Sequence, residues 1–330
     1  MSLKEDINYT IWCDFVEREF LENEFQKLLN DKVIYGATSN PAIFQQAISN
    51  SSAYTQQINM LQANDSKKIY EELAITDIKR ASLIMKPLYD DDANDGFISL
   101  EVDPTLSDDM MGTIQEGARL HAMIANDNVM IKIPATSAGY GAMENLTAMG
   151  INVNATLVFS PSQAKLCTEA LNNGIKKSAK DTKGVVSIFV SRFDRELDDI
   201  LKAKGLESSK VGIINATQCY HEVQKFENAN IRTLFASTGV KGDELNPSYY
   251  IDNLIFPHSI NTAPLATIKA WVESGQNNIS QIMVENECIN FINNLEENGV
   301  FMDTVYNKLL KDGLDAFKVS FKELLEKVKL

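Results

Sequence analysis

Val129-Met130-Ile131-Lys132-Ile133-Pro134-Ala135-Thr136 is an apolar run of strand length, closed by a proline, with one lysine at its middle. Side chains alternate across a β-strand, so Val129, Ile131 and Ile133 share one face while Met130 and Lys132 share the other. A strand apolar on both faces belongs in the interior of a parallel sheet. Lys132 is therefore expected to be buried, and a buried ammonium is costly unless it is paired or gives up its proton. The ordinary explanation of one such lysine is a head group that reaches solvent past the strand end. The rest of the chain argues otherwise.

Similar short apolar runs recur on both sides of this one. They are Tyr9–Cys13, Val33–Ala37, Phe97–Val102, Ile151–Val158, Gly184–Val190, Ile231–Ala236 and Leu254–Phe256, which with Val129–Ile133 make eight strand candidates. Between them Asp14–Asn30, Asp65–Tyr89, Asp108–Asn126 and Ser160–Lys180 carry apolar residues at helical spacing. Ser160-Pro161 is a cap followed by a first-turn proline. Strands alternating with helices imply right-handed crossovers and a parallel sheet, and eight such units imply an α/β fold of the (β/α)8 TIM-barrel type. The competing doubly wound sheet lacks its Gly-rich turn after the first strand. No low-complexity linker interrupts the chain, so residues 1–330 are expected to form a single barrel domain, with C-terminal helices (about 261–330) packed on the barrel. Leu314, Phe317, Phe321, Leu324 and Val328 mark the last of these as amphipathic, a helix on the outside of the barrel or across its mouth.

The interior of a packed barrel should be branched and apolar. Here the period-2 pattern puts polar side chains on the inner face: Ser99 and Glu101 on the third strand, Lys132 on the fourth, Asn152, Asn154 and Thr156 on the fifth, and Ser187 with Phe189 on the sixth. Asp14 closes the first strand in phase with Trp12, and Ser237 closes the seventh in phase with Phe235. One inward Asn or Ser is usually a satisfied core group. A lysine, two carboxylates, two asparagines, a threonine and serines converging on the carboxyl ends of six strands are an active site.

Inventory then narrows the chemistry. A net charge of −14 in 330 residues argues against nucleic acid and anionic membrane as partners, and no apolar run reaches membrane-spanning length. Cys13, Cys167, Cys219 and Cys288 form no CxxC pair, and the N-terminus lacks the apolar core of a signal peptide, so a reduced, cytoplasmic enzyme without a metal is expected. His121, His221 and His258 lie off the inward positions, except that His258 falls just past the eighth predicted strand, so serine–histidine catalysis has no evident base. Gly139 and Gly141 after the lysine strand are better read as a helix entry than as a phosphate loop. What remains is a lysine among carboxylates and hydroxyls, the setting for amine attack on a carbonyl, with the iminium as electron sink. Arg192 past the sixth strand and Lys241 past the seventh stand where barrels often bind phosphate.

Several motifs resemble those of the transaldolase family. They are Thr38-Ser39-Asn40-Pro41-Ala42-Ile43-Phe44, Val129–Thr136, Gly150 through Ser160, Ser187-Ile188-Phe189-Val190-Ser191-Arg192 and Ala236–Lys241, the last similar to the longer-chain branch. The resemblance spans roughly the first 260 residues and implies a cofactor-free, class I transfer of a dihydroxyacetone unit between phosphorylated sugars, by a monomer or homodimer. It implies Lys132 as the Schiff-base lysine, Asp14 as general acid/base in C–C cleavage, and Glu101 with Thr156 handling the water of imine formation. Asn40, Asn154 and Ser187 would hold sugar hydroxyls beside Phe189, and Arg192 with Ser237 the phosphate. Some members carry an arginine two residues after the position of Ser237, where this chain has Gly239. Lys241 is the expected substitute. The alternatives kept open are an aldolase releasing free dihydroxyacetone and a silent sugar-phosphate-binding barrel.

Overall fold

In the computed structural model, which describes residues 2–275 and 278–329, eight parallel strands close into a barrel in chain order. They are β1 (Thr10–Cys13), β2 (Gly36–Thr38), β3 (Phe97–Glu101), β4 (Val129–Pro134), β5 (Asn152–Val158), β6 (Gly184–Phe189), β7 (Ile231–Ala236) and β8 (Ser259–Ala263). The (β/α)8 architecture expected from the alternation is present. Each outer strand face is apolar because helices cover it: Ile98, Leu100, Ile131, Ile133, Val153, Ala155, Val186 and Ile188 are all buried. The inner face carries Trp12, Met130, Leu234 and Ile260 at mid-height, also buried. Trp12 fits because its β2 neighbour is Gly36, where a Cβ would stand 2.6 Å from the indole.

Two elements differ from the sequence expectation. Leu254–Phe256 is not a strand. Its three side chains are buried in the turn between Tyr249–Asp252 and β8, and the eighth strand is the more polar Ser259–Ala263. The C-terminal helices therefore begin at Leu265, since residue 261 lies within β8. Asp14–Asn30 is two short helices, Arg18–Glu22 and Glu24–Asn30, broken at Asn23 where ψ is −91°. Elsewhere the caps act as read: Ser160 and Gln163 form a reciprocal capping box at the start of Pro161–Lys177.

The amino-terminal end of the barrel is closed by Arg232. Its guanidinium is buried, donates to Asp95 Oδ1 at 3.3 Å and to the carbonyls of Asn8 and Ser259 at 2.9 Å each, while Lys4 holds the other oxygen of Asp95 at 2.5 Å. Arg232→Ala would strand Asp95 and four barrel-bottom acceptors, the carbonyls of Asn8, Asn94 and Ser259 and the Thr10 hydroxyl. Urea unfolding is expected to show a loss of about 3–5 kcal/mol, the cost of breaking a buried pair from one side. A loss below about 1 kcal/mol would mean that Lys4 alone neutralises Asp95.

The opposite, carboxyl-terminal mouth is crossed by the last helix, Met302–Lys327. Its apolar stripe, predicted at Leu314, Phe317, Phe321, Leu324 and Val328, faces the barrel, with Leu314 only partly covered and Val328 buried just past the last helical residue. Phe321 stacks edge-on against Tyr70 (5.4 Å), and Tyr70 against Phe44 (5.9 Å), which ties the helix to Ser66–Asp91 and Pro41–Asn50. Gly313 makes the approach possible. A Cβ there would lie 3.0 Å from Leu157 Cδ2 and 3.3 Å from Arg192 Nη1.

Candidate active site

Strand register carries the inward residues to one level. Glu101 pairs with Lys132 across β3–β4, and Lys132 with Asn154 across β4–β5, so the three form one rung at the carboxyl end. Lys132 is 5 % exposed, and its Nζ stands 3.8 Å from Glu101 Oε2, donates to the Ser39 carbonyl at 3.2 Å, and lies 6.0 Å from the centre of the Phe317 ring. It is thus buried, as the strand parity implied, and its charge is only loosely paired.

Two carboxyls flank it. Asp14 Oδ1 accepts from Thr38 Oγ1 at 2.6 Å, and Thr38 Oγ1 in turn meets Thr262 Oγ1 at 2.8 Å. Burial raises the pKa of Asp14, against the pull of Lys132 and the Thr38 hydrogen bond. Burial also pushes Glu101 up to about 7, again opposed by Lys132, with the charge of Asp14 adding to the rise. Glu101 Oε2 and Thr156 Oγ1 are both buried without a hydrogen-bond partner, on strands that flank β4 on either side. Buried polar atoms without partners are rare and mark places where a small polar molecule belongs.

The cleft above this rung, about 760 Å³ counted to its open mouth, is lined by Asp14, Asn40, Lys132, Ser187, Phe189, Arg192, Ser237 and Lys241. Glu101, Asn154 and Thr156, on the strands to either side of the lysine, are buried and do not line the cleft. Asn154 spends both ends of its amide, donating to Ser99 Oγ at 3.0 Å and accepting from Ser187 Oγ at 2.6 Å. Asn40 caps the helix Pro41–Asn50 through Oδ1, accepting from the Ile43 N–H at 3.0 Å, which leaves its Nδ2 for other partners. Asn152, inward by parity, ties the amino-terminal end instead, donating to the Asp127 carbonyl and accepting from the Lys183 N–H.

At the far end of the cleft, Ser191 Oγ and Ser237 Oγ touch at 3.1 Å, and Ser237 holds a left-handed backbone (φ 56°). Arg192, partly buried, lies with its guanidinium 5.1 Å from the Phe189 ring centre and pairs with no carboxylate among the described residues. Burial and the neighbouring Arg195 lower its pKa. Arg195 and Lys241 are exposed at the mouth and likewise have no carboxylate partner there. Nearby acids are committed elsewhere: Asp194 accepts from the Gly212 N–H and the Tyr250 hydroxyl, Asp198 from Ser209, and Glu196 holds Lys308. Three cations without a paired carboxylate among the described residues, in a chain of charge −14, give this end a local positive field suited to an anion.

Sequence reasoning passed over Thr38, Arg195 and Phe317, all of which line the cleft. Thr38 was hidden because the second strand was placed at Val33–Ala37, one step short of it. Arg195 had a signal, its position one helical turn after Arg192. Phe317 had none beyond its place in an apolar stripe. His258 precedes β8 and therefore lies at the opposite end of the barrel, where it contacts Asn8. Among the described residues no group of His, Cys, Asp and Glu has the arrangement of a metal site.

Fold and site together define a class: a (β/α)8-barrel enzyme whose cleft is centred on a buried lysine amine. The family model for transaldolase/fructose-6-phosphate aldolase matches residues 11–328, and the chain belongs to that family. It is 44% identical over 317 residues to the transaldolase of Helicobacter pylori (strain Shi470), covering 96% of this chain and 98% of that one. It is also 44% identical to the transaldolase of Campylobacter jejuni subsp. jejuni serotype O:23/36 (strain 81-176), covering 97% of this chain and 99% of the relative.

Proposed function

We propose that this protein is a transaldolase that carries a dihydroxyacetone unit from a ketose phosphate to an aldose phosphate on Lys132. The donor would be sedoheptulose 7-phosphate or fructose 6-phosphate, and the acceptor glyceraldehyde 3-phosphate or erythrose 4-phosphate, a reversible step of non-oxidative pentose phosphate metabolism. The observation that carries the reading is the buried Lys132 amine, 3.8 Å from Glu101 and on one cleft wall with Asp14. Full-length relatives that carry the name transaldolase support it.

The steps follow from these positions. Neutral Nζ adds to the ketose carbonyl, and Glu101, poised near neutrality, protonates the carbinolamine hydroxyl so that it leaves as water, which Thr156 Oγ1 steadies. Asp14, oriented by Thr38, takes the proton of the hydroxyl two carbons along as the C–C bond breaks. The bonding pair settles into the enamine on Lys132, and an aldehyde acceptor then re-forms the bond in reverse. Asn40 and Ser187 hold sugar hydroxyls beside Phe189, and Asn154 keeps Ser187 turned toward them. Arg192 and Ser237 hold the phosphate, with Lys241 at the mouth. On this reading Arg192→Ala raises KM for fructose 6-phosphate about tenfold or more, as expected for a charge-assisted contact in a partly buried site. Lys241→Ala, exposed, raises it no more than about fivefold. Equal small effects would place the phosphate elsewhere.

No helix among the described residues is long and apolar enough to cross a membrane. We place the enzyme in the cytoplasm, a setting that suits four free, buried thiols.

Borohydride trapping tests the function directly. Incubation with fructose 6-phosphate and reduction should leave a three-carbon adduct on Lys132, and erythrose 4-phosphate added first should discharge it. Folded protein that binds sugar phosphate and traps nothing would be a binding barrel. Rapid release of dihydroxyacetone with no acceptor would make it an aldolase.

A further inference from the structure

The C-terminal helix reaches the reacting nitrogen. Phe317 is 7 % exposed, lines the cleft with Asp14 and Lys132, and holds its ring centre 6.0 Å from Lys132 Nζ. Its place is built in: Gly313, one turn earlier, lets the helix backbone lie against Leu157 and Arg192, and Phe321, one turn later, is locked edge-on against Tyr70. Contacts one turn to either side thus fix where the ring stands.

We propose that Phe317 shields the lysine adduct from water, and so sets the partition between transfer to an aldehyde and hydrolytic release of the three-carbon unit. The inference rests on the Schiff-base reading above. While an acceptor is awaited, the adduct on Nζ is an enamine in balance with its iminium. Release needs a proton from solvent on the enamine carbon. Water oxygen must then add to the iminium carbon, a proton must pass to nitrogen, and the C–N bond must break with its pair returning to Lys132 as the ketone forms. Transfer needs none of this until the new C–C bond exists. An aromatic ring beside the nitrogen opposes this route by occupying space from which unmanaged water would reach the adduct. The required water is held elsewhere, at Glu101 and Thr156 on the strands beside β4, which do not line the cleft as Phe317 does.

The test compares two rates in one enzyme: release of free dihydroxyacetone from fructose 6-phosphate without acceptor, and transfer to erythrose 4-phosphate. In Phe317→Ala the ratio of release to transfer is expected to rise at least about fivefold, as water gains the space the ring had filled. The borohydride-trappable adduct should decay faster to match. Phe317→Leu, which keeps an apolar side chain of helical preference, serves if the alanine variant folds poorly, and should shift the ratio the same way by less. Phe317→Tyr should restore the wild-type ratio. If release and transfer fall by one common factor, Phe317 merely supports the helix and the proposal is wrong. An unchanged ratio in both Ala and Leu variants overturns it equally. Wild-type enzyme that forms no adduct on Lys132 would instead remove the Schiff-base reading itself, a result the same experiment reports separately.

Discussion

Lys132→Met is expected to abolish transfer, with kcat/KM falling at least about 10⁴-fold, because the cleft's other amine, Lys241, stands exposed at its mouth instead of buried beside Asp14 and Glu101. Asp14 and Arg192 remain able to bind the sugar but supply no nucleophilic amine. The variant should still fold. Methionine is similar in length and apolar, Met130 already occupies the layer beneath, and a loosely paired buried ammonium is replaced by a side chain with no desolvation cost. Loss of the neighbouring positive charge, which now pulls Glu101 down, should leave that carboxyl protonated to higher pH. The check is threefold: coupled turnover assay, intact mass after borohydride, and urea unfolding. More than about 1 % residual transfer, or an adduct still found by mass, would move the chemistry to another amine.

How much of this was legible beforehand depends on the physical signal each element leaves. β3 to β7 announce themselves because helices cover their outer faces, so every second residue must be apolar. Once that face is assigned, Lys132, Glu101, Asn154 and Ser187 have only the interior left. β8 fails the same test. Ser259 and Thr262 are buried but satisfied by the Phe256 carbonyl and by Thr38, and Asn261 accepts from Thr238 through its Oδ1, partners that a single strand does not reveal. Leu254–Phe256 looks more like a strand and is as deeply buried, since a turn beneath helices excludes water just as a sheet does. The same limit applies to the site. Parity told which residues face inward, but not that Asn154 would turn away from the cleft to hold Ser187. Helical periodicity showed that Phe317 faces something apolar. That it sits over the Lys132 amine depends on the close approach at Gly313, some 180 residues along the chain from the lysine.

Glu101→Gln is expected to change both rate and stability, in opposite directions. The amide cannot deliver or recover the proton of the departing water, so imine formation should slow by about 10²–10⁴-fold, the usual worth of a positioned acid–base group. In the wild type this step should weaken as pH rises past about 7, where the carboxyl ionises, and the variant should lose that limb of the profile. Stability runs the other way. The folded-state pKa is raised from the ordinary 4.5 to about 7, so the native state binds more protons than the unfolded chain in that window. The contribution of Glu101 is therefore fully present below pH 4.5 and is lost as pH climbs through 7, an amount on the order of 3 kcal/mol for such a shift. Urea unfolding at pH 5 and pH 8 should show a smaller drop in Glu101→Gln than in the wild type, by about 2 kcal/mol, because most of the window lies between those values. An equal drop in both proteins would mean that the carboxylate is ionised throughout and that Lys132 keeps it so. Glu101 could not then act as the acid, and the proton would have to come from Asp14, the other raised carboxyl beside Lys132.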